Sequence, residues 1–127
     1  MGNGTSIGRV RGLGSSHHGT HHFLASRLTA VGNLVLLPYL IISLLLLPSY
    51  DFASVHAWLA QPLAATALVL TFINTFYHAR LGVQVMLEDY VHEDAGKIAA
   101  WLLVNIVPFA AAAFGIVSVI LIALGGA

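Results

Sequence analysis

The sequence predicts an all-α integral membrane protein with three transmembrane helices, forming part of a multi-helix heteromeric bundle. Three observations predict the helices. The 127 residues are 58% hydrophobic and 8% charged, against about 25% charged in ordinary soluble domains, and the mean hydropathy is +0.88. Stretches 28–50, 52–79 and 98–127 carry no Asp, Glu, Lys or Arg. Each exceeds the roughly 20 apolar residues that a helix needs to cross a bilayer. The stretches are continuously apolar rather than alternating, and lipid leaves no other partner for backbone N–H and C=O groups, so they are expected as helices rather than barrel strands.

The first helix is expected at about 28–49. It holds the run from Leu34 to Ile42, interrupted by Pro38. The second is expected at about 56–87, and Pro48 and Pro62 fall near helix boundaries. The third is expected at about 97–124, with Pro108 inside it. Pro38 and Pro108 each remove one ladder hydrogen bond and are expected to kink their helices. Ala110 to Ala113, Gly115, Gly125 and Gly126 make the third helix smooth enough for close packing. Tyr50, Trp58, Tyr90 and Trp101 fall near helix ends, where amphipathic rings favour the membrane interface. Residues 1–27 form a polar arm, rich in Gly and Ser over its first 19 positions.

The ten charges set an orientation. Arg9, Arg11 and Arg27 precede the first helix, Asp51 stands alone in the first loop, and Arg80, Glu88, Asp89, Glu93, Asp94 and Lys97 lie between the second and third apolar stretches. Positive charge stays inside, so the N-terminus and the second loop are expected in the cytoplasm. The net charge is zero with histidine neutral, which gives no case for nucleic acid. The chain has no cysteine. It therefore holds no disulfide, no thiolate-bound iron–sulfur cluster and no covalently attached haem.

The chemistry-bearing residues concentrate between Tyr77 and Lys97. His78 either bonds a backbone carbonyl or lipid headgroup at the interface, or serves as an axial haem ligand. Stretches 28–50 and 98–127 contain no histidine, so bis-histidine ligation calls for a second chain. Gly82 lies one turn beyond His78 on nearly the same face and leaves room for a flat group. Asp89, eleven positions after His78, falls about three turns and roughly 16 Å further along the same face if the helix continues that far. Asp89 and Tyr90 are either a solvated acid beside an interfacial aromatic or a quinone site. In the second case the tyrosine hydroxyl donates to a quinone carbonyl and the carboxylate relays protons. Glu88, Glu93 and Asp94 read chiefly as loop solvation. Arg27 is either a topology anchor or the partner of an anionic group such as a haem propionate. His17, His18, His21 and His22 have no spacing that points to a metal site.

Two segments resemble a known family. Gly19, Phe23, Arg27, Thr29 and Ala30 match a Gly-x-x-x-Phe-x-x-x-Arg-x-Thr-Ala pattern before the first helix, and His78, Gly82, Asp89 and Tyr90 match His-x-x-x-Gly followed by Asp-Tyr. Together they resemble the small hydrophobic membrane-anchor subunits of succinate dehydrogenase, respiratory complex II, which links the tricarboxylic acid cycle to electron transport. The resemblance implies that His78 is an axial ligand to haem b, shared with a sister cytochrome b anchor subunit. It implies that Asp89 and Tyr90 belong to the quinone site, with ubiquinone or menaquinone as substrate. It places Arg27 near the haem propionates or the quinone pocket. The implied partners are the sister anchor, an iron–sulfur subunit and a flavoprotein subunit, and no succinate-oxidising residue is expected here. The absence of a presequence favours a bacterial inner membrane over a mitochondrial one. Three alternatives stand beside this reading: the anchor of a fumarate reductase running in reverse, a non-redox structural subunit, and a small transporter. The last is disfavoured by the lack of charge at the helix centres.

Overall fold

The computed structural model describes residues 5–7, 19–90 and 94–125. Arg9, Arg11, His17, His18 and Glu93, singled out in the sequence, lie outside the described residues. The main helices are α1 (Gly19–Leu45), α2 (Phe52–Leu59), α3 (Pro62–Tyr90) and α4 (Asp94–Ala123). No strand occurs among the described residues. Helix α1 and the Gly96–Ala123 part of α4 are each long and apolar enough to cross a membrane. Helices α2 and α3 meet at a bend of 81° and together qualify as a further span, which makes three when the pair is counted as one crossing.

Two boundaries differ from the expected windows. Helix α1 begins at Gly19 rather than near residue 28, so the second part of the polar arm is helical. A charge-free window marks what lipid tolerates. It does not mark where a helix starts, and nothing between Thr20 and Arg27 breaks one. The second window is interrupted at Ala60–Gln61. Pro62 has no N–H to continue a helix, but its fixed φ suits a first helical position, so α2 ends and α3 begins there. Pro38 and Pro108 each lie inside a single helix. Between α1 and α2, the Ser49 hydroxyl donates to the Asp51 carboxylate. That bond, with help from Ser54, holds this exposed carboxyl below the usual carboxylate range.

Helix α3 is the centre of the arrangement. It packs along both α1 and α4, which do not pack on each other among the described residues. Contacts pairing Thr29 with His78 and Asn33 with Asn74 show that α1 and α3 run antiparallel. At the α2 end, Leu40, Trp58, Ala64 and Ala67 form the buried core cluster. Trp58 is therefore a core residue rather than the interfacial ring expected from its position, because the bend between α2 and α3 folds it inward. Tyr50, Tyr90 and Trp101 are exposed.

Close approach between helices uses glycine at two points. A Cβ on Gly115 of α4 would come within 2.8 Å of the Phe72 ring on α3, and one on Gly32 of α1 within 2.8 Å of the Asn74 amide. The chain ends α4 with Gly125 at φ +74°, a left-handed cap that other residues adopt only with strain. Overpacking a tight contact costs about 1–3 kcal/mol. Gly115→Ala is thus expected to lower the thermal stability of the assembled protein in mild detergent, and Phe72→Leu in the same chain to recover most of the loss.

Candidate functional site

Helix α3 is the most polar of the long helices, and its polarity has a direction. Thr71, Asn74, Thr75 and His78 follow the i, i+3, i+4, i+7 spacing of one helical face. The last three meet α1, where Thr29 and Asn33 lie four residues apart. Asn74 Nδ2 donates to the Thr29 carbonyl at 2.7 Å and to Asn33 Oδ1 at 2.7 Å. Thr75 Oγ1 donates to the same Asn33 oxygen at 2.9 Å. The contact between the helices is close because Gly32 has no side chain to hold Asn74 off.

One turn further along, His78 Nδ1 lies 2.9 Å from Thr29 Oγ1. Thr29 is the buried polar residue among those described, 9% exposed. His78 is half-buried. Its partner is therefore a side-chain hydroxyl on the neighbouring helix rather than a backbone carbonyl. The ring's Nε2 makes no hydrogen bond among the described residues. His78 forms part of the wall of a groove of about 660 Å³ between α1 and α3, shared with His22, Phe23, Ser26 and Arg27. Arg27 is exposed there, its guanidinium 5.1 Å above the Phe23 ring, an i, i+4 stacking that restrains the side chain.

Helix α3 continues to Tyr90, so Asp89 does fall about three turns beyond His78, roughly 16 Å along the axis. Asp89 and Tyr90 are exposed at the end of the helix and do not line the His78 groove. The structure thus brings His78 and Arg27 into one groove and leaves Asp89 and Tyr90 beyond it, in the same half of the bundle. A Cβ on Gly82 would meet nothing within 4 Å, so the face beyond His78 is open in this chain. His21 and His22 are the described members of the histidine cluster, and no group of three or more His, Cys, Asp or Glu among the described residues is arranged to hold a metal ion.

Several polar residues in the arrangement were not singled out in the sequence: Asn33, Asn74, Thr75 and Asn105. Asn105 accepts from Arg80 Nε at 2.7 Å and donates to the Trp101 carbonyl at 2.7 Å, fixing the Arg80 side chain between α3 and α4. Their signal was polar side chains at helical spacing inside otherwise apolar windows.

The chain can be placed among known proteins. The model for the succinate dehydrogenase/fumarate reductase transmembrane subunit matches residues 1–112. This chain belongs to that family. Proteins called succinate dehydrogenase hydrophobic membrane anchor subunit are similar to it. The one from Rickettsia conorii is 33% identical over 86 residues, 67% of this chain and 68% of the relative. Its counterpart from Rickettsia bellii is 34% identical over the same length. That from Paracoccus denitrificans is 26% identical over 120 residues, 89% of this chain and 93% of the relative. No solved structure matches. Membership makes the chain a membrane anchor, and its apolar helices agree.

Interhelical hydrogen bonds in membranes average about 0.6 kcal/mol and reach about 1.7. Asn74→Leu removes two at once, so α1–α3 association is expected to weaken by about 1–2 kcal/mol, read as a lower unfolding midpoint of the purified protein in detergent.

Proposed function

We propose that this chain anchors a succinate:quinone oxidoreductase in a bacterial inner membrane and shares in its haem b and quinone sites. The observation that carries the reading is His78. Its imidazole is half-buried, its Nδ1 is engaged by Thr29 and its Nε2 is uncommitted beside an open face, in a groove that also holds Arg27. A neutral imidazole with a bonded outer nitrogen is the donor that haem iron takes. His22 also lines the groove, but among the described residues no hydrogen bond holds its ring as Thr29 holds His78; the second histidine for the haem iron would come from a sister anchor subunit.

The residues divide the work. His78 holds the haem iron and the exposed Arg27 pairs with a propionate or the rim of the quinone pocket. Tyr90 donates its hydroxyl to a quinone carbonyl, and Asp89 relays protons to it. Reduction of a quinone to the quinol takes two electrons and two protons, so the site needs both a donor that orients the carbonyl and a proton path to water. Exposure of Asp89 and Tyr90 at the helix end supplies the path. Haem b contributes one-electron storage near that site. The electrons originate in flavoprotein and iron–sulfur subunits that dock on the face carrying the α1 start and the α3 end, the cytoplasmic side by the Lys/Arg distribution. The anchor itself does not oxidise succinate. The same anchor serves a fumarate-reducing complex equally well, because quinone potential rather than anchor sequence sets the direction.

General acid–base groups contribute about 10²–10⁴-fold. Tyr90→Phe and Asp89→Asn are expected to lower succinate-dependent quinone reduction by the purified complex by about 10²-fold. Electron transfer from succinate to a soluble dye is expected to stay unchanged. Unchanged quinone reduction in both variants contradicts the quinone assignment, and equal loss of both activities assigns these residues to docking instead.

A further inference from the structure

The Thr29 hydroxyl has more neighbours than it has hydrogens. Its Oγ1 lies 2.8 Å from the Ala25 carbonyl, 3.1 Å from the Ser26 carbonyl and 2.9 Å from His78 Nδ1. A carbonyl oxygen only accepts, and a threonine hydroxyl has one hydrogen to give. If that hydrogen points to Nδ1, the Ala25 oxygen faces Oγ1 at 2.8 Å with no proton between two lone pairs. If it points back along α1, every contact is satisfied provided that Nδ1 carries the proton and donates to Oγ1. The second arrangement leaves no repulsive contact.

We infer that Thr29 is the positioning residue of the haem site: it holds His78 in the Nδ1–H tautomer, so that Nε2 presents its lone pair for ligation. This rests on the haem reading of His78. Three features of the structure make Thr29 suited to the role. It is buried, so water does not compete for Nδ1. Its hydroxyl hydrogen is committed to the helix backbone, so the oxygen acts as an acceptor of fixed direction. Its own carbonyl is held by Asn74 at 2.7 Å, one turn before His78 on the same helix, so the acceptor and the ring are referenced to the same stretch of α3. A partner on the outer nitrogen fixes the orientation of a ligating imidazole and raises its basicity. A more basic ligand stabilises ferric over ferrous iron and lowers the midpoint potential. No other side chain among the described residues contacts the His78 ring nitrogens by hydrogen bond.

The test uses the intact complex purified in mild detergent, with haem followed by optical potentiometric titration and by the low-spin ferric EPR spectrum. Thr29→Val keeps the shape and removes the acceptor; Thr29→Ala is the second hydroxyl-less variant should valine hinder assembly. Both are expected to raise the haem midpoint potential, alter the ferric spectrum and weaken haem retention about tenfold. Thr29→Ser keeps the hydroxyl and is expected to restore all three. Wild-type potential and spectrum in the hydroxyl-less variants overturn the inference while leaving His78 as ligand. A serine variant that behaves like valine overturns it too, by assigning the effect to the lost methyl group. Absence of b-type haem from the wild-type complex overturns the ligand assignment itself, and with it this role for Thr29.

Discussion

Asn74 spends both hydrogens of its amide on α1, one on the Thr29 carbonyl and one on the Asn33 side chain. In a membrane the apolar surfaces of two helices gain little from meeting each other, since lipid is as apolar as they are. Register has to come from close packing and from polar groups that find partners. Here both coincide. Gly32 lets the helices approach and the amide fills the space it leaves. Once that contact fixes how α1 lies along α3, Thr29 is carried to His78 and Arg27 to the wall of the same groove.

The rest of the surface shows how incomplete this chain is alone. Leu34 is 73% exposed and Phe114 78%. In water such exposure would drive aggregation. A single row of three helices, with α3 in the middle, cannot cover its own flanks, so lipid and neighbouring subunits must do so. The same incompleteness applies to the chemistry. His78 and Arg27 line a groove that this chain leaves open, and Asp89 and Tyr90 stand exposed at a helix end. An anchor subunit built this way gains its function on assembly, as its family membership implies.

The helical membrane class was legible in the sequence because lipid solvation writes itself into composition: long charge-free windows permit few alternatives. The place of His78 near the end of the second helix also followed from the window, although that helix runs past its expected end near residue 87 to Tyr90. Less was visible where packing decides. Pro62 marked a helix boundary, but the burial of Trp58 depends on how α2 folds back, which no local pattern states. The start of α1 at Gly19 was hidden because polar residues can be helical at a membrane surface without looking apolar. Thr29 stood in the sequence as one letter of a motif. Its role came from a distance to His78 across 49 positions of chain, and no periodicity within α1 could supply that.

The ligand role of His78 is the claim on which the haem reading stands. Its most direct test is the dithionite-reduced minus oxidised visible spectrum of the purified complex, compared between wild type and His78→Ala. A b-type haem signal is expected in the wild type and is lost or shifted in the variant. An unchanged signal in His78→Ala, with the variant incorporated into the complex, contradicts the ligand role.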